Sequence, residues 1–186
     1  MKCVIGIVGE NGAGKATFTT FFRAAAAPQK VAELRFSNVL TKTLDLWGID
    51  LTRPNLQNLA IIMDGQYGKG SLTRATEAEI KRAQDDFVIV EGVRWKTDVP
   101  MIKSFEKSAL IYVTADPKIR FKRMKARGEK KNEAKMTYEE FLIEEKAATE
   151  TQIPEIGKQA DFKIENNTDL ESFRSEVEKI YDQLKS

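Results

Sequence analysis

Histidine is absent from the 186 residues of this chain, and cysteine occurs once, as Cys3. The missing imidazole excludes a Ser-His-Asp triad, a Cys-His dyad, a histidine general base and a zinc site with histidine ligands. A lone cysteine cannot form a disulfide within the chain, so the protein is not a disulfide-stabilised scaffold. Its chemistry must therefore use lysine, arginine, carboxylates, hydroxyls, backbone groups or a bound ion.

Long apolar runs and an excess of one charge are missing as well. The unbroken apolar stretches are a handful of residues, far below the ~20 that a membrane-spanning helix needs. The first residues lack the longer hydrophobic region and cleavage site of a secretory signal, so we expect a cytoplasmic protein with no membrane partner. The 30 Lys and Arg residues against 28 Asp and Glu leave a net charge of +2, which makes a nucleic-acid partner unexpected.

Short apolar segments alternate with helical patterns along the chain. Strands that alternate with helices are typical of an α/β protein with a parallel sheet, and 41% hydrophobic residues suffice for the core of one domain. We therefore predict a three-layer α/β/α fold with a five-stranded parallel sheet. The predicted strands cover residues 4–8, 31–36, 87–91, 109–113 and 161–164. The predicted helices cover residues 15–27, 37–47, 53–82 with interruptions at glycines, 116–127, 137–151 and 168–184.

Local signals predict where several helices begin and end. Ser37 and Ser71 are predicted N-caps, and Asp116 before Pro117 is another. Thr137 with Glu140 forms a capping box for a helix that runs to about Thr151. Ile153-Pro154 is predicted to prevent this helix from continuing.

The strongest motif is Gly9-Glu10-Asn11-Gly12-Ala13-Gly14-Lys15, which fits G-x-x-x-x-G-K between a predicted strand and a predicted helix. Glycines let backbone N–H groups turn around a phosphate, and the helix N-terminus adds partial positive charge. Lys15 is predicted to bring a full charge to the β- and γ-phosphates. The predicted nucleotide-binding residues here are Gly9, Asn11, Gly12, Ala13, Gly14, Lys15, Ala16 and Thr17.

The residue after Lys15 departs from the motif, because Ala16 stands where a Ser or Thr hydroxyl usually contacts Mg²⁺. Here the chain resembles the nucleoside monophosphate kinase branch of P-loop proteins, in which adenylate kinases often carry Gly-Lys-Gly-Thr. The resemblance implies that Thr17 contacts phosphate and that Mg²⁺ is held mainly through phosphates and water, with no metal ligand from the protein. A crippled ATP-binding protein is the alternative.

The predicted strand 87–91 ends in Glu91, and Gly92-Val93-Arg94 follows it. Ligands of doubly wound sheets bind at this edge, so Glu91 is a candidate to orient a Mg²⁺-bound water or to accept a hydrogen bond from the phosphoryl acceptor. Arg94 is predicted to face the anionic group of the substrate. An acid followed by glycine and arginine at this place is similar to small nucleotide kinases.

Residues 116–135 contain nine basic residues and three acidic ones. Arg120, Arg123 and Arg127 share one face of the predicted helix, and guanidinium groups suit contact with phosphates. Arg123 and Arg127 before a polar loop resemble the start of the lid in adenylate and dephospho-coenzyme A kinases. The resemblance implies that Arg123 lies near adenine and Arg127 near the phosphates, and that both act in catalysis with Lys15 and Glu91.

The helical region between the second and third predicted strands is expected to bind the acceptor. Relatives often carry Asp-x-x-Arg there, and this chain has Asn38-Val39-Leu40-Thr41. The predicted acceptor-binding residues are Ser37, Asn38, Arg53, Arg74 and Arg94. Asn166, after the last strand, resembles a residue whose backbone faces adenine. The predicted division is a core of residues 1–36, 84–127 and 152–186, an acceptor-binding insert of 37–83 and a lid of 128–151.

The resemblance to the adenylate kinase and dephospho-coenzyme A kinase group extends over nearly the whole chain. It implies an enzyme that uses ATP and Mg²⁺ to phosphorylate a nucleotide-like small molecule, such as a nucleoside or deoxynucleoside monophosphate. Three alternatives stay open: dephospho-coenzyme A as acceptor, an ATP-binding protein without transfer, and, more weakly, an RNA-associated ATPase. No pattern indicates the oligomeric state.

Overall fold

The computed structural model describes residues 2–128, 136–147 and 150–185. All strands of its five-stranded sheet are parallel, in the order β2-β3-β1-β4-β5. The strands are β1 Cys3–Val8, β2 Val31–Arg35, β3 Phe87–Glu91, β4 Ser108–Thr114 and β5 Phe162–Glu165. The helices are α1 Lys15–Ala26, α2 Phe36–Leu46, α3 Arg53–Tyr67, α4 Ser71–Arg82, α5 Asp98–Lys103, α6 Pro117–Arg127, α7 Tyr138–Glu144, α8 Ile153–Gly157 and α9 Leu170–Leu184. The predicted three-layer fold with five parallel strands is confirmed.

The central strand β1 is buried along its whole length, as its unbroken apolar sequence predicts. On one side of the sheet, helices α1 and α9 contribute Phe18, Phe22, Phe173 and Val177 to the core. On the other side, helices α4, α5 and α8 contribute Ile80, Ile102 and Ile156. Both faces of the sheet are therefore covered, and ligands have access at its edges.

The parallel register brings the carboxyl ends of neighbouring strands to one edge. Ile7 of β1 pairs with Glu91 of β3, and Glu91 pairs with Arg35 of β2. The loop from Gly9 to Gly14 begins at this edge, directly after β1. Residues far apart in sequence thus meet beside the glycine loop.

Two predicted helix starts are confirmed. The side chain of Asp116 accepts a hydrogen bond from the backbone N–H of Lys118 at 2.9 Å. Thr137 and Glu140 form the predicted capping box.

Two other predicted N-caps are wrong. Helix α2 already begins at Phe36, so Ser37 lies inside its first turn. Helix α4 has Gly70 at its N-cap in the left-handed conformation, which glycine adopts without strain. Ser71 is the first helical residue, and its hydroxyl donates to Oδ1 of Asp64 at 2.5 Å. The hydroxyl that was expected to cap the helix is therefore hydrogen-bonded to the carboxylate of Asp64.

The helix predicted for residues 137–151 is shorter, since α7 ends at Glu144. The predicted break at Ile153-Pro154 is the start of α8, because proline is tolerated in the first turn of a helix, where its missing N–H is not needed. Helix α5 was not predicted. Of the predicted lid, residues 129–135 and 148–149 lie outside the described residues. No helix within the described ranges is long and apolar enough to cross a membrane.

Candidate functional site

A cleft of about 1460 Å³ opens at the carboxyl edge of the sheet. The glycine loop and the start of α1 form one end, helices α2 to α4 form the other, and the segment after β3 lies between them. Most of the predicted site residues line this cleft. They are Asn11, Gly12, Gly14, Lys15, Ala16, Thr17, Ser37, Arg74, Glu91, Arg94, Arg123 and Arg127.

Four predicted site residues are placed differently. Gly9, Ala13 and Asn38 are not among the lining residues, and Ala13 is fully buried. Asn166 is buried beneath the glycine loop. The remaining predicted site residue, Arg53, is the first residue of α3.

The glycine loop packs closely against α6 and against Asn166, which follows β5. Gly12 has a φ of +77°, and a Cβ there would lie 2.5 Å from the carbonyl oxygen of Arg120 in α6. Gly14 has a φ of +108°, and a Cβ there would lie 2.4 Å from Nδ2 of Asn166. That amide donates a hydrogen bond to the carbonyl oxygen of Ala13 at 2.9 Å. Both glycines are therefore required by conformation and by space.

Replacing Gly12 with alanine is expected to lower the free energy of unfolding by about 3 kcal/mol, since left-handed strain adds to a backbone clash. Gly48 is the matched control, because it has a φ of +64° and open space around it. Gly48→Ala should cost only the conformational strain, about 1 kcal/mol. Urea unfolding of the two variants measures the difference. An equal loss of unfolding free energy in both would show that the close approach of α6 to Gly12 does not add to the cost of the substitution.

Lys15 is the charged group at the centre of the loop. Its ammonium group donates to the carbonyl oxygens of Gly9 at 2.6 Å and Glu10 at 2.9 Å. Burial, and secondarily the positive charge of Arg94, lower the pKa of Lys15 to about 8, while nearby carboxylates oppose the shift. An anion bound in the cleft would favour the charged form of this lysine.

We expect ATP to bind more weakly as the pH rises above about 8. Above this pH a growing fraction of the free protein carries Lys15 as the neutral amine. Because the triphosphate binds the ammonium form, this amine must take up a proton when ATP binds, and that uptake costs binding free energy. The Kd for ATP should rise about five-fold between about pH 8 and pH 9, as measured by titration calorimetry. A Lys15→Arg variant keeps its charge in this range. The same loss of affinity in that variant would rule out Lys15 as its source.

Glu91 is held rigidly at the end of β3. It is 7% exposed, its Oε1 accepts a hydrogen bond from Oγ1 of Thr19 at 3.2 Å, and its Oε2 pairs with Nε of Arg35 at 3.1 Å. Thr19 lies one helical turn after Lys15, and its role was not predicted. Its spacing of four residues from Lys15 was the available signal.

The three arginines of α6 have different environments. The guanidinium of Arg120 is buried, binds both carboxylate oxygens of Glu145 at 2.6 Å and donates to the carbonyl oxygen of Ala115. Arg123 donates to the backbone oxygen of Asn166 at 3.0 Å and faces the cleft, and burial lowers its pKa. Arg127 also lines the cleft. Arg123 and Arg127 thus line the cleft, whereas Arg120 is turned toward Glu145.

Two further arginines line the cleft with partners of their own. Nη1 of Arg94 forms an ion pair with Glu150, which is buried. Arg74 donates to the carbonyl oxygens of Tyr67 at 2.8 Å and Lys69 at 2.9 Å, so it holds the turn between α3 and α4.

A buried carboxylate in the loop itself was also missed. Oε1 of Glu10 accepts a hydrogen bond from the hydroxyl of Tyr112 at 2.5 Å, and burial is the main cause that raises the pKa of Tyr112 to about 12. The two residues are 102 positions apart. No local pattern in the sequence predicts such a pair.

No family model matches the chain. It is 25% identical to a UPF0200 protein of Hyperthermus butylicus, over 98% of this chain and 95% of that protein. It is 24% identical to a UPF0200 protein of Pyrococcus horikoshii, over 98% of each chain.

Solved structures show the class of fold. The chain is similar to shikimate kinase from Bacteroides thetaiotaomicron, with a TM-score of 0.63, 15% identity and 99% of each chain covered. It is also similar to TT1252 from Thermus thermophilus, with a TM-score of 0.60, 18% identity and 98% of each chain covered. The protein therefore has the fold of P-loop kinases such as shikimate kinase. These likenesses do not single out the adenylate kinase and dephospho-coenzyme A kinase group.

Proposed function

We propose that this protein is a phosphotransferase that moves the γ-phosphoryl group of ATP to a nucleotide-like small molecule, a nucleoside or deoxynucleoside monophosphate. The observation that supports it best is a single cleft with the glycine loop at one end and the helices α2 to α4 at the other. Its volume of about 1460 Å³ exceeds the ~300–1,000 Å³ that is typical for one small ligand. The cleft therefore has room for a donor and an acceptor together.

The donor's phosphates would lie on the loop from Gly9 to Lys15. Binding would draw the ammonium group of Lys15 from the two backbone carbonyls to the β- and γ-phosphates. An acceptor oxygen would then attack the γ-phosphorus in line, with ADP as the leaving group. Lys15, Arg123 and Arg127 would stabilise the charge on the transferring group, and closure of residues 128–151 would exclude water.

Magnesium would be held mainly by phosphate oxygens and water. Ala16 offers no hydroxyl, and each carboxylate oxygen of Glu91 already has a partner in Thr19 or Arg35. In the described ranges, no three carboxylate, cysteine or histidine side chains form a group that could hold a metal. Glu91 is suited to accept hydrogen bonds from water bound to the metal, which would help to position the hydrated ion beside the phosphates.

The acceptor would bind between the segment after β3 and residues 37–83, which we propose as the acceptor-binding insert of the single domain. Ser37, Arg74 and Arg94 line this part of the cleft, and Asn38 and Arg53 belong to helices of the same insert. Dephospho-coenzyme A is the alternative acceptor, and shikimate is a third because a structural neighbour was solved with it.

Acceptor-dependent formation of ADP tests the proposal. The protein is mixed with ATP, Mg²⁺ and, one at a time, nucleoside and deoxynucleoside monophosphates, dephospho-coenzyme A and shikimate. We expect ADP with a monophosphate. ADP without any acceptor would indicate an ATPase, and ATP binding without ADP from any mixture would indicate an impaired ATP-binding protein.

Replacing Ala16 with serine is expected to change the turnover number less than about three-fold, because water and phosphates already complete the coordination of the metal. The matched control is Ala24→Ser, since Ala24 is exposed on the same helix and does not line the cleft. Steady-state assays of both variants measure the effect. A gain of about 100-fold in Ala16→Ser alone would show that the alanine had disabled the site.

A further inference from the structure

The chain has two tryptophans, and they occupy different surroundings. Trp95 is 40% exposed and lines the cleft, four residues after Glu91. Trp47 is 76% exposed at the end of α2 and is not a lining residue. A large apolar ring exposed in a concave site is typical of a ligand-binding surface.

The turn that carries Trp95 is held by hydrogen bonds to the side chain of Asp98. Asp98 is 3% exposed, and its Oδ2 accepts hydrogen bonds from the backbone N–H of Arg94 at 3.1 Å and of Trp95 at 3.0 Å. The N–H of Asp98 donates in return to the carbonyl oxygen of Trp95 at 2.9 Å. Burial raises the pKa of Asp98, and these two donors offset part of the cost of a buried carboxylate. The backbone of Arg94 and Trp95 is therefore preorganised.

The indole of Trp95 is not part of the protein core. Within the described part of the chain, it belongs to none of the buried hydrophobic clusters, and no other aromatic ring or cation stacks on it. Packing of the core therefore does not explain why a tryptophan is held in this turn.

The other residues that line the cleft indicate the chemistry of a matching ligand. Arg94 is its neighbour on the same turn, and Arg35 and Lys69 line the same cleft, as do the apolar side chains of Phe36 and Leu40. A planar ring that carries an anionic group would satisfy both kinds of surface. A nucleoside monophosphate has these two parts, whereas shikimate has no aromatic ring.

We propose that Trp95 is the stacking platform for the base of the acceptor and thereby selects an acceptor with an aromatic ring. This inference rests on the proposed function and deepens it, because it assigns substrate selection to a residue outside the phosphate-binding motif. The base would lie on the indole face, with the phosphate toward Arg94.

Fluorescence of a Trp47→Phe variant tests binding directly, because Trp95 is then the only tryptophan in the chain. The variant is titrated with nucleoside monophosphates in the presence of a non-hydrolysable ATP analogue, with excitation at the red edge of the indole band. Ribose 5-phosphate is the matched ligand without a base. We expect saturable quenching by at least one monophosphate and none by ribose 5-phosphate. No quenching by any monophosphate, or equal quenching by ribose 5-phosphate, would overturn the proposal.

Kinetics of two substitutions test selection. Trp95→Leu should raise the KM for the monophosphate about 10-fold or more, because a stacked base contributes that much to binding. Trp95→Phe keeps a ring and should raise this KM less than about three-fold. The KM for ATP should stay unchanged in both variants, which separates loss of stacking from general damage to the cleft. Equal acceptor KM values in Trp95→Leu and the unmodified protein would contradict the proposal.

The outcomes separate this inference from the proposed function. If Trp95→Leu forms ADP with an unchanged acceptor KM, the stacking role of Trp95 is contradicted and the proposed phosphotransferase activity is still supported. Saturable quenching without ADP from any acceptor would remove the transfer reaction and leave Trp95 as a binding surface for nucleotides.

Discussion

Replacing Lys15 with alanine is expected to lower acceptor-dependent ADP formation about 1000-fold or more. Lys15 is the one lysine of the phosphate-loop motif, and its ammonium group already lies within 2.9 Å of two carbonyl oxygens of that loop. Preorganised positive charge at a transferring phosphoryl group supplies much of the rate in this kind of reaction, since there is little covalent chemistry for the protein to do. Steady-state assays at saturating ATP measure the loss.

Lys122→Ala is the matched control for this substitution. Lys122 is exposed on α6 and does not line the cleft, so its removal should leave the rate within about two-fold. The Lys15→Ala protein should unfold at the same urea concentration as the unmodified protein or at a higher one, because a partly buried charge is removed. If Lys15→Ala kept more than about a tenth of the activity, the glycine loop would not be the site of transfer.

Glu91→Gln is expected to lower the turnover number about 100-fold with little change in the KM for ATP. The amide oxygen can still accept the hydrogen bond from Thr19, so the local fold is kept, whereas the negative charge that orients metal-bound water or acceptor is lost. Single-turnover measurements at saturating substrates report the change in the chemical step.

Glu33→Gln controls for loss of the contact with Arg35. Glu33 binds Nη2 of Arg35 at 3.0 Å, lies on β2 and does not line the cleft. This variant should keep nearly full turnover. A similar loss in Glu33→Gln and Glu91→Gln would mean that the placement of Arg35, and not the charge of Glu91, controls the rate.

The glycine loop and the five strands were predictable because their signals are local. The six residues of β1 before Gly9 are all apolar, which is typical of a strand that is covered on both faces of the sheet. The glycines and Lys15 then follow at the fixed spacing of the motif. Glu91 was predictable for a related reason, since a carboxylate at the end of a buried parallel strand must lie at the edge where β1 also ends.

The partners of the charged residues were not predictable, because they depend on tertiary packing. Spacing places Arg120 on the same face of α6 as Arg123, but only the packed structure shows that Arg120 turns inward to Glu145. The pairing of Arg94 with Glu150 likewise joins residues 56 positions apart.

Short elements were the other source of error. Helix α5 has six residues and α8 has five, which is too short for a helical period to be recognised. The turn with Trp95 leads directly into α5, whose first residue is Asp98. The residue that we propose to select the acceptor was therefore missed by the sequence pattern.

The most direct measurement follows a radiolabelled γ-phosphoryl group from ATP in the presence of Mg²⁺ and the monophosphate that gives the most ADP. We predict that the label appears in the phosphorylated monophosphate in an amount equal to the ADP formed, and that Lys15→Ala abolishes this transfer. Label found only in inorganic phosphate, or retained in ATP with every acceptor at saturation, would contradict the assignment of this cleft as a phosphotransferase site.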